Sequence, residues 1–447
     1  MAIEVVEGRL GNVLAQGNER YSLEVLAEPF EDLVDAPVTN AGIEEAILSL
    51  IVDKGIQKYS PYPGLQLQAV FRPGREVGTS DLLLGVREEK PYHVAFQVDN
   101  NGGRFTGERR ALADFYWNNP FGVGDRLDLR LIQNYLPKNS VFYSVQYHYP
   151  ILPTSWFEFG ASRQIFDVGA EQRAINLSGE TKSLNARFWH NALLTRFHDL
   201  RLYLGLDRQD ALTKRNAIIV NEDNIASLEA GLEYQRVDTE YSGFDSVTLS
   251  FSQGLDGLFG GMSERVVNTR AIPPSRRGNK GNFASNDFYR LAATYARTQS
   301  IDEDKYIQAR LQGQWSNSLL PSVAQFPIGG PDSVRAYPAS EFLRDTAVFT
   351  SLEWFWRAPG FAQEEAWNGR KWGDILSVSF FADYAAGTLN QPTAGDVQNI
   401  DVSGYGAAAH ITLSHLRARL QVAHPLSGAP PSDARATHWW FDVRYEF

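Results

Sequence analysis

The chain has 447 residues, no cysteine, 10 tryptophans, 19 tyrosines and 26 phenylalanines, with net charge −11. The acidic balance disfavours nucleic acid, which wants a basic surface, and the missing cysteines exclude disulfides and thiolate metal sites. Mean hydropathy is −0.31 and no apolar run approaches the ~18 residues of a membrane helix, but β-strands that cross a membrane alternate polar and apolar residues and average out as hydrophilic.

Residues 1–89 differ from the rest. "RLGNVLAQGN" reads as a strand ending in a turn at Gly17-Asn18. Ser22 caps a helix carrying Leu23, Leu26, Phe30 and Leu33, interrupted by Pro29. Asn40 caps a second helix with Ile43, Ile47, Leu50 and Ile51 on one face. "LQLQAVF" and "DLLLGVRE" then read as strands around Pro73-Gly74. The order β-α-α-β-β is a small α+β domain. No signal peptide follows Met1, so the chain is either cytosolic or a mature or trimmed form.

From Tyr92 onward the helix signals vanish. Leu200, Leu202, Leu204 and Leu206 alternate with Arg201, Tyr203, Gly205 and Asp207. Ile307, Ala309, Leu311 and Trp315 alternate with Gln308, Arg310, Gln312 and Gln314. Leu416, Ala418, Leu420 and Val422 alternate with Arg417, Arg419, Gln421 and Ala423. A soluble sandwich fits any one such strand, but its strands are usually ~5–6 residues long. Nearly all of these reach the ~9–11 residues of a tilted bilayer crossing. Sixteen are expected, at 91–99, 108–117, 125–133, 140–149, 155–164, 182–194, 199–209, 226–238, 244–255, 286–298, 304–316, 345–357, 376–385, 401–412, 415–424 and 438–447. Short connections such as 150–154, 195–198 and 413–414 alternate with long ones at 165–181, 210–225, 256–285 and 317–344. The segment 358–375 is long on the short side. The pattern predicts an all-β, 16-stranded antiparallel transmembrane β-barrel. An even count lets the last strand close on the first.

The chain ends "WWFDVRYEF", with Phe441, Val443, Tyr445 and Phe447 on the apolar face, a C-terminal barrel-assembly signal. Catalytic motifs are missing: no G-x-S-x-G, H-E-x-x-H or P-loop occurs, so no enzyme, metal or cofactor is expected.

Four stretches carry a family resemblance. They are "RPGREVGTSDLLLGV" (72–86), "VDNNGGRFTGERRALADFYWNNPFGVGDRLDL" (98–129), "GGPDSVRAY" (329–337) and "FAD" (381–383). In this order and spacing the chain resembles the outer-membrane transporters of two-partner secretion, the TpsB group that secretes haemolysins and filamentous haemagglutinin. The resemblance makes 1–89 a periplasmic POTRA domain, either the second of two, with "VVEG" looking like the last strand of a missing first one, or the one domain of a naturally single-POTRA member. It makes 90–447 the outer-membrane barrel, with the sixth extracellular loop, 317–344, folded into the lumen.

The resemblance also implies the site. Arg335 at the loop tip would pair with the inward carboxylate of Asp383, framed by Gly329, Gly330, Val334, Ala336 and Tyr337 on the loop and Phe381 on the strand. The family usually has glycine where Ala336 stands. The implied partner is an unfolded secreted exoprotein of the TpsA type with an N-terminal secretion domain. It would be captured at the second helix, 41–54, and the strand 65–71, then passed through the barrel without ATP. Lipid, lipopolysaccharide, the barrel-assembly machinery and periplasmic chaperones are the other implied partners, with no nucleic acid. Lumen arginines Arg201, Arg310, Arg417, Arg419 and Arg444 either keep the substrate off the walls or pair with Asp128, Asp207 and Glu446. A passive porin leaves residues 1–89 unexplained, and a barrel-assembly insertase usually carries more POTRA domains.

Overall fold

The structure is a computed structural model that describes residues 8–50, 62–136 and 139–447. Two parts of the sequence reading, "VVEG" up to Glu7 and the end of the second helix, therefore lie outside the described residues.

The α+β unit runs β1 (Arg9–Gln16), α1 (Leu23–Ala27), a 3-10 turn (Glu28–Leu33), α2 (Asn40–Leu50), β2 (Leu65–Pro73) and β3 (Thr79–Glu88). Ser22 Oγ accepts from Val25 N at 3.3 Å and starts α1. Pro29 opens the 3-10 turn, since it has no N–H to continue the helix. The second helix differs from expectation. Thr39, not Asn40, supplies its cap, with Oγ1 accepting from Gly42 N at 3.2 Å. A β-branched hydroxyl serves that role nearly as well as an amide.

The sheet order is β1-β3-β2. Leu10, Leu26, Phe30, Ile43, Leu82 and Leu84 lie in its core. The outer edge of β1 is bridged by Val34 and Pro37. The opposite edge belongs to β2, where Val70 and Phe71 are exposed.

Glu88 ties the end of β3 to the turn after β1. Its carboxylate accepts from Glu19 N at 2.8 Å, Arg20 N at 2.9 Å, Arg20 Nε at 2.7 Å and Tyr21 N at 3.2 Å. Burial would raise the Glu88 pKa, but these donors outweigh it and hold the carboxyl below its usual range. A depressed acid contributes stability above its unfolded value of ~4.3, lost as pH falls through the lower folded value. Glu88→Gln is expected to speed amide exchange at Arg20 and Tyr21 about tenfold at neutral pH, the net value of one or two such bonds. The gap to wild type should shrink below about pH 4. Equal exchange at pH 7 would show that other contacts hold the turn.

The barrel strands are β4 (Tyr92–Asp99), β5 (Arg109–Asn118), β6 (Arg126–Leu136), β7 (Ser140–Leu152), β8 (Ser155–Asp167), β9 (Leu177–Leu194), β10 (His198–Arg215), β11 (Ile218–Asp238), β12 (Gly243–Gly254), β13 (Tyr289–Ser300) and β14 (Lys305–Ser316). A small hairpin, β15 (Phe326–Ile328) and β16 (Phe342–Arg344), interrupts them. Then come β17 (Thr346–Arg357), β18 (Leu376–Thr388), β19 (Asn399–Thr412), β20 (Leu416–Gly428) and β21 (His438–Glu446). The 16 strands from β4 to β14 and β17 to β21 form one closed antiparallel barrel.

Closure is made by β21 against β4, from Asp442↔Asp99 to Glu446↔Ala95. Beyond it the Asn100 side chain stands in for a strand. Its Nδ2 donates to Trp439 O and its Oδ1 accepts from Phe441 N, both at 2.7 Å.

The alternation read from sequence holds in the barrel wall. Leu202, Leu204 and Leu206 are exposed on the outside, while Arg201 is 2% exposed inside. At the C-terminus Trp439, Tyr445 and Phe447 are exposed, and Asp442 and Arg444 take the inner face with Arg419 and Asp114. Leucines packed against nothing on a closed sheet define the outer face as one solvated by lipid.

One connection departs from expectation. The segment 210–225 is not a loop, because β10 and β11 continue until Asn216 and Ala217 turn the chain with φ of 51° and 65°. Two consecutive positive φ values make the tight turn that matches strand twist. The segment 165–181 is likewise shortened, to a 3-10 turn (Ala170–Ile175) before β9. The long segment 358–375 folds as a turn with a Glu365–Lys371 bridge, and the Phe361 and Trp367 rings each meet Trp372 edge to face.

Candidate functional site: a loop tip clasped inside the barrel

The loop between β14 and β17 enters the lumen. Its tip is built from the glycines upward. Gly329 and Gly330 have φ of 104° and 102°, and a side chain on Gly329 would overlap the Pro338 carbonyl. That turn lets Gly330 N donate to Tyr337 O at 3.0 Å, closing the tip. Val334, Ala336 and Tyr337 are fully buried. Tyr337 Oη donates to Ala429 O at 2.8 Å, fixing the loop to the β20–β21 connection. Ala336 is not among the residues with positive φ, so its methyl causes no backbone strain. Room for that methyl comes from Gly404 on β19, where an added Cβ would sit 2.5 Å from the Ala336 Cβ.

Arg335 and Asp383 are brought together, each 2% exposed. Arg335 Nε donates to Asp383 Oδ2 and Nη2 to Oδ1, both at 2.8 Å, while Arg335 N also reaches Oδ2 at 3.1 Å. Two parallel bonds fix angle as well as distance. The guanidinium carbon lies 3.3 Å from the Phe381 ring centroid, a stacked cation–π contact.

Three further partners were not named from sequence. Arg335 Nη1 donates to Glu353 Oε2 at 2.7 Å and Nη2 to Ser351 Oγ at 3.0 Å. Trp440 Nε1 on β21 donates to the Arg335 carbonyl at 2.7 Å. Glu353 is held in turn by Ser379 Oγ at 2.5 Å, which also meets His410 Nε2 at 3.1 Å. Arg310 Nη2 reaches Ser351 at 3.5 Å from the other side. Two guanidinium groups thus face two carboxylates, and the buried cluster is balanced.

Above the tip a second ion pair closes the loop. Asp345 is fully buried and accepts from Arg276 Nη1 at 2.5 Å, Leu320 N at 3.1 Å and Asn390 N at 2.7 Å. Arg276 belongs to the β12–β13 connection, so two loops are fastened at one carboxylate.

The expected lumen pairs are partly rearranged. Arg444 does meet Glu446, at 2.9 Å, and also Asp114 at 2.6 Å. Asp128 pairs instead with Arg126 at 2.6 Å and Asp207 with Arg187 at 2.9 Å. Arg201 pairs with Asp199 at 2.9 Å. Each partner lies on the same or the next strand, except Asp114 on β5, which Arg444 on β21 reaches past β4.

A closed 16-stranded sheet with lipid-facing leucines and a clasped loop inside is a plugged transmembrane β-barrel. The chain belongs to the family described as haemolysin secretion/activation protein ShlB/FhaC/HecB, which it matches over residues 78–367. The heme/hemopexin transporter protein HuxB of Haemophilus influenzae is 23% identical over 86% of this chain, which spans 63% of HuxB's own length. The outer membrane transporter CdiB of Escherichia coli is 24% identical over 75% of this chain and 54% of its own. The solved structure of CdiB from Escherichia coli shares the fold, with a TM-score of 0.77 at 17% identity, covering 99% of this chain and 77% of that one.

Proposed function

We propose that the protein exports a large partner exoprotein across the outer membrane by two-partner secretion. Family membership supports this class of activity. The observation that carries it is the clasped loop: a loop held in a polar lumen by a balanced buried cluster, with the Arg276–Asp345 pair beside it, is a closed passage with a defined latch. Arg335 and Asp383 are the latch, and Gly329, Gly330, Val334, Ala336, Tyr337 and Phe381 shape its seat.

Residues 1–89 act as a periplasmic POTRA domain, and 90–447 as the outer-membrane barrel. The edge of β2 left open among the described residues suits capture of an unfolded segment, because an added strand bonds through its backbone and tolerates varied side chains. Folding of the cargo outside then draws the chain through, with no ATP needed. The outward aromatics Phe441, Tyr445 and Phe447, with Val443, serve as the signal read by the barrel-assembly machinery.

Co-expression with a neighbouring exoprotein gene tests the proposal. The exoprotein is expected in the medium only when this protein is present. Equal release without it would overturn the assignment. In planar bilayers a plugged transporter is expected to flicker, whereas steady large conductance would favour a porin.

A further inference from the structure

The outer wall carries charge where a lipid-facing surface should carry none. Arg163, Lys182 and Arg208 share the outward parity of Phe159, Leu184 and Leu206 on β8, β9 and β10. Strand register sets them side by side: Tyr143 faces Arg163, Arg163 faces Lys182, and Leu184 faces Arg208. Tyr143 Oη accepts from Arg163 Nη1 at 3.1 Å. The carboxylates facing them are Glu180, 2.7 Å from Arg163 and 3.1 Å from Lys182, and Asp210, paired with Arg208. Three cations against two carboxylates leave a net positive charge. The Lys182 side chain is 58% exposed.

These cations cap a groove. An outward hollow of about 710 Å³ crosses the wall from β4 to β10. Its outward lining includes the small Ala113 and Ala161 among the larger Phe115, Leu131, Val145 and Leu184. The hollow climbs as it goes. Val94 lies about two residues from the start of β4, whereas Arg208 lies about ten from the start of β10. Ten residues of tilted strand bring the chain to the far edge of the ~25 Å apolar band. The groove is apolar along the hydrocarbon and cationic at the outer headgroup level.

We propose that this groove holds one phosphate-bearing lipid of the outer leaflet, an acyl chain lying over Ala113 and Ala161 and the phosphate on Arg163, Lys182 and Arg208. Charge complementarity at that depth selects an anionic headgroup, since an unmatched cation at a lipid surface is attracted to one. The site is continuous with the lipid-facing wall. It rests on the barrel lying in lipid and is independent of the export assignment.

The test uses the whole protein in detergent, titrated with bis-phosphorylated lipid A and followed by native mass spectrometry. One retained lipid A per barrel is expected, with at least tenfold weaker retention by Arg163→Gln/Lys182→Gln. Ala161→Phe, which fills the groove and leaves the cations, should weaken it as much. Heat-modifiable gel migration checks that each variant remains a folded barrel. Equal retention by the double variant, equal retention of dephosphorylated lipid A, or displacement by millimolar inorganic phosphate would each overturn the site. Secretion is scored separately, so loss of export with unchanged retention bears on the latch alone.

Discussion

Arg335→Ala is expected to reduce export by at least tenfold while the barrel still assembles. The substitution leaves Asp383 and Glu353 without the guanidinium that joins them inside the lumen, while Arg310 reaches only the neighbouring Ser351. Stranding one partner of a buried pair costs about 3–5 kcal/mol. That shifts the balance between seated and released loop by a factor on the order of 10² to 10³. The wall itself depends on backbone ladders that Arg335 does not touch. Asp383→Ala should behave alike, for it removes both parallel bonds at once. Arg335→Lys keeps the charge and loses the fork, so an intermediate defect is expected. Exoprotein in the medium and protease access to the loop are the measurements, with heat-modifiable migration as the fold control. Normal export by both alanine variants would remove any role for the pair as a latch.

The second large effect concerns a residue with no side chain. Gly404→Ala should unseat the loop, because its methyl would meet the Ala336 methyl at 2.5 Å and the His424 carbonyl at 3.1 Å. Overpacking of a tight site costs about 1–3 kcal/mol. Ala336→Gly removes the first of these contacts, leaving the Ala336 Cα at 3.7 Å. The double variant should therefore regain most of the lost export, and Ala336→Gly alone should be close to wild type. If the double variant is as defective as Gly404→Ala, the strand rather than the loop is the seat of the damage.

Much of this was readable in advance. Strand alternation gave the barrel, its strand count and the inward side of Asp383, because period-two patterning is a direct consequence of pleat geometry. Glu353 has the right parity as well, three positions along β17 from Thr350 and inside. Parity alone could not single it out, since Asp114 and Asp207 face inward too, and only the descent of the loop decides which carboxylate an arginine meets. Gly404 and Gly406 left a fainter trace in "SGYGAAAH". Glycines two apart on a strand mark a face where something approaches closely, and here that is Ala336 and the Phe381 ring. The turn at Asn216-Ala217 was missed because it lacks the glycine that usually announces such a hairpin.

The partners of the loop tip all lie downstream of it in the chain. Glu353 and Asp383 come after Arg335, Ala429 holds Tyr337, and the final strand supplies Trp440. Of these, Trp440 comes last along the chain and sits on β21, the strand that pairs with β4. The plug consequently cannot be finished early: its last anchor arrives with the strand that joins β4 and completes the wall, so a half-built wall never carries a finished stopper.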